Sequence, residues 1–150
     1  MQKRIKPIVF AVCLGIGAAA VAATNVASAA TSAVLDANEA MWKRVQRLSP
    51  GARLKVTVAG GEAVERYFVH LTDTELIVLN LSAANLPKRQ LLNMATDNPS
   101  WFADTSKMTY RDNNLRVGPD GVFVKDQKIA ELAQVVERIP RDRVTLVAKR

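Results

Sequence analysis

The period of the apolar residues changes at Ser49-Pro50-Gly51, and that change limits the folds open to this chain. Before it, Val34, Leu35, Met41, Trp42, Val45 and Leu48 recur at three- and four-residue spacings, with Lys43, Arg44 and Arg47 between them, as on an amphipathic helix. After it, Leu54, Val56 and Val58 alternate with Arg53, Lys55 and Thr57, the period of a strand with one wet face. A helix is therefore expected over 31–48, capped by Thr31 or Ser32, with the Trp42 stripe laid on the folded body. A helix lying on a membrane surface is the alternative reading of the same pattern.

Two further strands are expected over Val64–Leu71 and Leu76–Leu81, the second almost continuously apolar, joined by turn chemistry at Thr72-Asp73-Thr74. Three short strands with tight connections make a meander. Pro87–Ala95 reads as a short helix burying Leu91 and Leu92, with Met94 a further candidate for its buried face, stopped by Asp97-Asn98-Pro99. Two turn signals, Asp112-Asn113-Asn114 and Gly118-Pro119-Asp120-Gly121, each frame a hairpin. Ile129–Ile139 carries helical and strand patterns together and is read as a short helix running into a strand. Pro140 ends that strand, and Val144–Val147 makes the last one.

The N-terminal thirty residues have the layout of an export signal. Lys3, Arg4 and Lys6 precede an apolar run from Ile8 to Ala23, and Ala27-Ser28-Ala29 fits a small-residue cleavage site before Ala30. The expectation is a periplasmic or secreted protein with residues 1–29 as signal and 30–150 as one globular domain; an uncleaved N-terminal membrane anchor is the alternative. A lipid on Cys13 is disfavoured because Val12 is not small. Without residues 1–29 the chain keeps 18 of its 21 Lys and Arg against 14 Asp and Glu, and loses its only cysteine. Such a domain has no disulfide and must be held by its own core, which its length permits. Its mild positive charge falls short of a dedicated nucleic-acid binder.

Chemistry is sparse. The single histidine, His70, has no signature partner for acid–base work, so no catalytic residue is assigned and the chain is read as not an enzyme; an exported hydrolase using His70 is the alternative. No metal site is expected, because Asp112-Asn113-Asn114 with Asp120 lacks the spacing of a calcium loop and zinc ligands are missing. No phosphate-binding glycine motif occurs, so no cofactor is expected. Two residue sets remain as binding candidates. The basic residues Arg138, Arg141, Arg143, Lys149 and Arg150 would suit an anionic partner at the envelope: a protein, a polysaccharide or an anionic lipid. Trp101 and Phe102, adjacent after a proline turn, are either core anchors or an exposed contact patch.

A helix ending in Leu48-Ser49-Pro50-Gly51, a three-strand meander, and Ile139-Pro140-Arg141-Asp142-Arg143-Val144 turning between two strands together resemble the small SH3-like or Sm-like β-barrels, in particular exported bacterial proteins of unknown function. The resemblance covers 42–81 and 135–147. It implies an α+β domain, mainly β: a small barrel of strands from 53–81 and 135–147, an N-terminal amphipathic helix, and an insertion over 82–134 carrying a helix and hairpins. The Sm-like RNA pocket is not carried over. Asp73 is in place, but Ile77 stands where that family has Asn, and Ile139-Pro140-Arg141 replaces its Ile-Arg-Gly. The implied function is a non-enzymatic envelope binding or scaffolding domain. Sm-like nucleic-acid binding becomes the alternative if the N-terminus is not a signal.

Overall fold

A computed structural model describes the backbone of residues 19–150 and the side chains of residue 31 and residues 33–150. The basic start and most of the apolar run of the expected signal lie outside the described residues. Two compact units meet in sequence between Ala37 and Asn38. Helix α1, Ala19–Val45, runs through that boundary and through the proposed cleavage site. The expected start at Thr31 is corrected: the alanine-rich stretch before it has the highest helix propensity, so helix continues through Thr31 and Ser32 instead of being capped there. The expected buried stripe is also shorter than its pattern. Val34 and Leu35 are 67% and 64% exposed, and burial begins only at Met41, Trp42 and Val45.

The unit from Asn38 onward holds two antiparallel sheets. The first is made of β1 (Arg53–Val58), β2 (Val64–Leu71), β3 (Glu75–Leu79), β8 (Val136–Pro140) and β9 (Val144–Lys149), in the order β8-β3-β2-β1-β9. The expected meander is its centre. The returning strands add to both sides, β8 on β3 and β9 on β1, joined by a single-turn 3-10 helix at Arg141–Arg143. No β8–β9 ladder closes the sheet among the described residues, so the fold is α+β with an open first sheet.

Strand β3 is buried on both faces, which explains its unbroken apolar run. Leu76 and Val78 point into one core with Trp42, Val45, Leu54, Val56, Phe68 and Val144. Ile77 and Leu79 point into the other, with Leu91, Met94, Phe102, Leu115, Val122 and Val135. Alternation along a strand assigns successive side chains to opposite faces, and here both faces are covered. Phe68 serves the first core and Val69 the second by ordinary alternation, and the register shift between Phe68 and His70 then brings Leu71 onto the first core, opposite Leu76.

The second core is roofed by the 82–134 segment. Helix α2 (Lys88–Asp97) starts directly after Pro87 and buries Leu91, Met94 and Ala95, with Leu92 only half-buried. Both expected hairpins form, as β4 (Tyr110–Asp112), β5 (Leu115–Gly118) and β6 (Gly121–Val124). A strand absent from the sequence pattern, β7 (Gln127–Ala130), extends them to a four-stranded sheet. Ile129 and Ala130 thus belong to a strand, and the short helix expected at this point, α3, is confined to Leu132–Val135. It runs straight into β8.

Candidate binding groove

The open side of the first sheet leaves a groove of about 670 Å³ between the β1–β2 hairpin and the free edge of β8. Gly60, at φ +74, allows the hairpin to turn, and Ala59 N–H donates to the Arg143 carbonyl at 2.8 Å, tying the hairpin tip to the β8–β9 turn. Val58, Val64, Val136, Ile139 and Pro140 supply an apolar lining. Val64 is 37% exposed in it, an uncovered branched side chain on a strand.

The polar part of the lining is mostly self-satisfied. Arg66 Nε and Nη2 donate to Glu137 Oε2 and Oε1 at 2.7 and 2.9 Å, and Asn80 Nδ2 donates to Oε1 at 2.9 Å. Arg138 is held by Glu75 Oε2, at 3.0 Å from Nε and 2.6 Å from Nη2, and its Nη1 donates to the Ala103 carbonyl at 2.9 Å. Two groove charges make no ion pair among the described residues: Arg143 at the β8–β9 turn and Glu62 on the hairpin.

The five basic candidates do not form one surface. Arg141 stacks on the Trp42 ring, 4.6 Å from its centroid, and donates to the Asp73 carbonyl, so it fastens the turn to the first core. Arg150 pairs with Glu65, which also accepts from Arg53 at 2.5 Å. Lys149 is exposed at the far end of β9. Arg143 and Arg150 flank that strand, and at about 3.4 Å per residue they stand more than ~20 Å apart. Of the five, Arg138 and Arg143 reach the groove, and Arg143 reaches it without an ion pair among the described residues.

The aromatic pair splits as well. Phe102 is fully buried, so it anchors the second core and supplies no contact surface, whereas Trp101 is 38% exposed beside Tyr110, with ring centroids 6.3 Å apart. Burial and the neighbouring Asp112 push the Tyr110 hydroxyl above its ordinary range. His70 is half-buried in β2 and has no hydrogen-bonded hydroxyl or carboxylate among the described residues. Among those residues no group of His, Cys, Asp and Glu is placed to hold a metal ion, and no helix is long and apolar enough to cross a membrane.

The sequence patterns single out neither Val64 nor the Arg66–Glu137 pair. The one available signal is the imperfect alternation of β2, where Arg66 stands on the face that elsewhere carries apolar residues. Comparison with protein-family models, curated proteins and solved structures finds no match to this chain.

Proposed function

We propose that this chain is a non-enzymatic binding or scaffolding domain of the bacterial envelope. It is exported through its N-terminal signal, cleaved near Ala29-Ala30, and built on an SH3/Sm-like frame. The reading rests on the groove: an apolar channel of about 670 Å³ along an unpaired strand edge, most of whose rim charges are paired with each other. Ligand sites are concave, mainly apolar, and carry few polar groups, and this groove has that composition. The frame is supported by the five-strand order in which the last strand returns to the first, with a short 3-10 turn between β8 and β9. Export is supported by the layout of the first thirty residues.

The test is photocrosslinking in living cells from a benzophenone side chain placed at Val64, inside the groove, or at Leu146, which is 54% exposed on β9. Discrete adducts from Val64 and none from Leu146 are expected, on protein recovered from the periplasm or medium with Ala30 at its N-terminus. Equal crosslinking from both positions, or none from Val64, would remove the groove as the binding site.

A further inference from the structure

Resting on that reading, we propose that the groove takes an extended peptide, which adds to β8 as an antiparallel strand and places a carboxylate near its N-terminal end against Arg143.

The backbone of β8 sets the first half of this inference. Asn80 N–H donates to the Val135 carbonyl at 2.8 Å and Arg141 N–H to the Thr74 carbonyl at 2.9 Å. With Val78 opposite Glu137 and Leu76 opposite Ile139, these bonds show that Val135, Glu137, Ile139 and Arg141 direct their backbone groups at β3. The residues between them, Val136, Arg138 and Pro140, direct theirs away from it. The Val136 N–H is already taken by the Leu132 carbonyl at the end of α3, and Pro140 has none. The outward edge is therefore one donor, Arg138 N–H, flanked by the carbonyls of Val136, Arg138 and Pro140. An antiparallel strand satisfies Arg138 with two bonds from a single residue, and its alternate side chains fall on Val64 and Ile139. β8 is five residues long, so the seat is roughly 17 Å.

Charge chooses the occupant. Among the described residues a second copy has four edge strands, β4, β7, β8 and β9; β9 has no carboxylate and is flanked by Arg143 and Arg150, so docking it here would set cations against Arg143, and pairing through any of the others would show as protection of the Arg138 amide in the protein alone. An acidic peptide meets Arg143, the groove cation that makes no ion pair among the described residues. Glu62 on the hairpin disfavours a run of acids, so a single carboxylate is the better complement. Because Arg143 lies beyond the C-terminal end of β8, an antiparallel strand presents its N-terminal residues there.

The experiment uses the full chain, labelled with ¹⁵N, and a blocked octapeptide alternating valine and threonine with aspartate at its second position. Two further peptides carry lysine there, or aspartate at the seventh position instead. The first peptide is expected to slow exchange of the Arg138 amide and to bind about tenfold more tightly than the other two, the worth of one charge-assisted contact. Arg138→Pro removes the outward donor without touching the β3 ladder and should cut affinity about tenfold or more; Arg138→Ala keeps the N–H and should change it less than about threefold. Arg143→Glu should reverse the preference, so that the lysine peptide binds best. The proposal is overturned if none of the peptides binds, if the Pro and Ala variants behave alike while both remain folded, or if the Arg138 amide is already protected in a self-associated protein. Val64 crosslinks that persist when the peptide fails would leave the binding groove standing without a strand in it; loss of both would end both readings.

Discussion

Arg66 and Glu137, 71 positions apart in the chain, meet in a two-point ion pair of 2.7 and 2.9 Å, with side chains only 15% and 26% exposed. The pair joins β2 to β8 across β3 on the face of the first core, at the mouth of the groove. An exposed ion pair contributes about 0–1 kcal/mol, while breaking a buried one costs about 3–5 kcal/mol because a desolvated charge is left behind. This intermediate case should cost about 2 kcal/mol in Arg66→Ala or Glu137→Ala, read from urea unfolding. The double variant Arg66→Met/Glu137→Leu should recover most of that loss. Single variants costing less than about 0.5 kcal/mol would show the pair to be a surface contact.

Phe102 and its neighbour Trp101 should behave oppositely. Truncating the fully buried ring in Phe102→Ala leaves a cavity between α2 and the two sheets and should cost about 3–5 kcal/mol. Trp101→Ala should stay within about 1 kcal/mol, since the half-exposed ring packs mainly on Tyr110. In a Trp42→Phe background, Trp101 fluorescence should be readily quenched by acrylamide. Strong protection from quencher would contradict the exposure described here.

What could be read from the sequence divides along physical lines. The meander, α2 and both hairpins were legible because each is set by local patterning: period-two alternation, Pro87 before a helix, and turn residues between strands. β7 was not, because its turn carries no glycine. Val124 pairs with Gln127, so Lys125 and Asp126 form a two-residue loop, and both take positive φ, +50° and +63°. Such a turn is normally announced by Asn-Gly or Asp-Gly, and here its geometry is imposed by the sheet around it. The length of α1 followed alanine propensity, whereas the expected boundary followed cap chemistry at Thr31. The groove was illegible for a different reason. Its walls come from 58–66 and 133–143, and it exists because the sheet stays open, a long-range property with no local signature.

The turn between β5 and β6 depends on Gly121 having no side chain. Its φ is +135°, and a Cβ there would lie 2.6 Å from the Ala130 carbonyl oxygen and 2.7 Å from Lys128 Cε. The lysine end can move aside, but the β7 backbone cannot do so without breaking its ladder with β6. Gly121→Ala should therefore cost about 2–4 kcal/mol, combining backbone strain with the clash. Hydrogen exchange should quicken first in β6 and β7, while the β1–β2–β3 amides keep their protection. Uniform loss of protection would instead make the two sheets one cooperative unit.

Glu65 provides the pH dependence. Its carboxylate accepts from Arg53, which holds its pKa below the ordinary range; Arg150 adds to that, and desolvation opposes it. The folded chain thus binds a proton on Glu65 less readily than the unfolded chain, whose Glu titrates near about 4.3. The contribution to stability is complete above that value, and is lost as pH falls through the depressed folded pKa, because protonation then costs the native state its pairing. It should fade with added salt, since all three side chains are largely exposed. A ¹³C carboxyl titration should place the Glu65 midpoint below about 4.3, and Arg53→Gln should move it upward. Arg150→Gln should move it upward by less, because Arg53 makes the stronger contact. A midpoint unchanged by Arg53→Gln would show that the β1–β2 pair does not persist in solution.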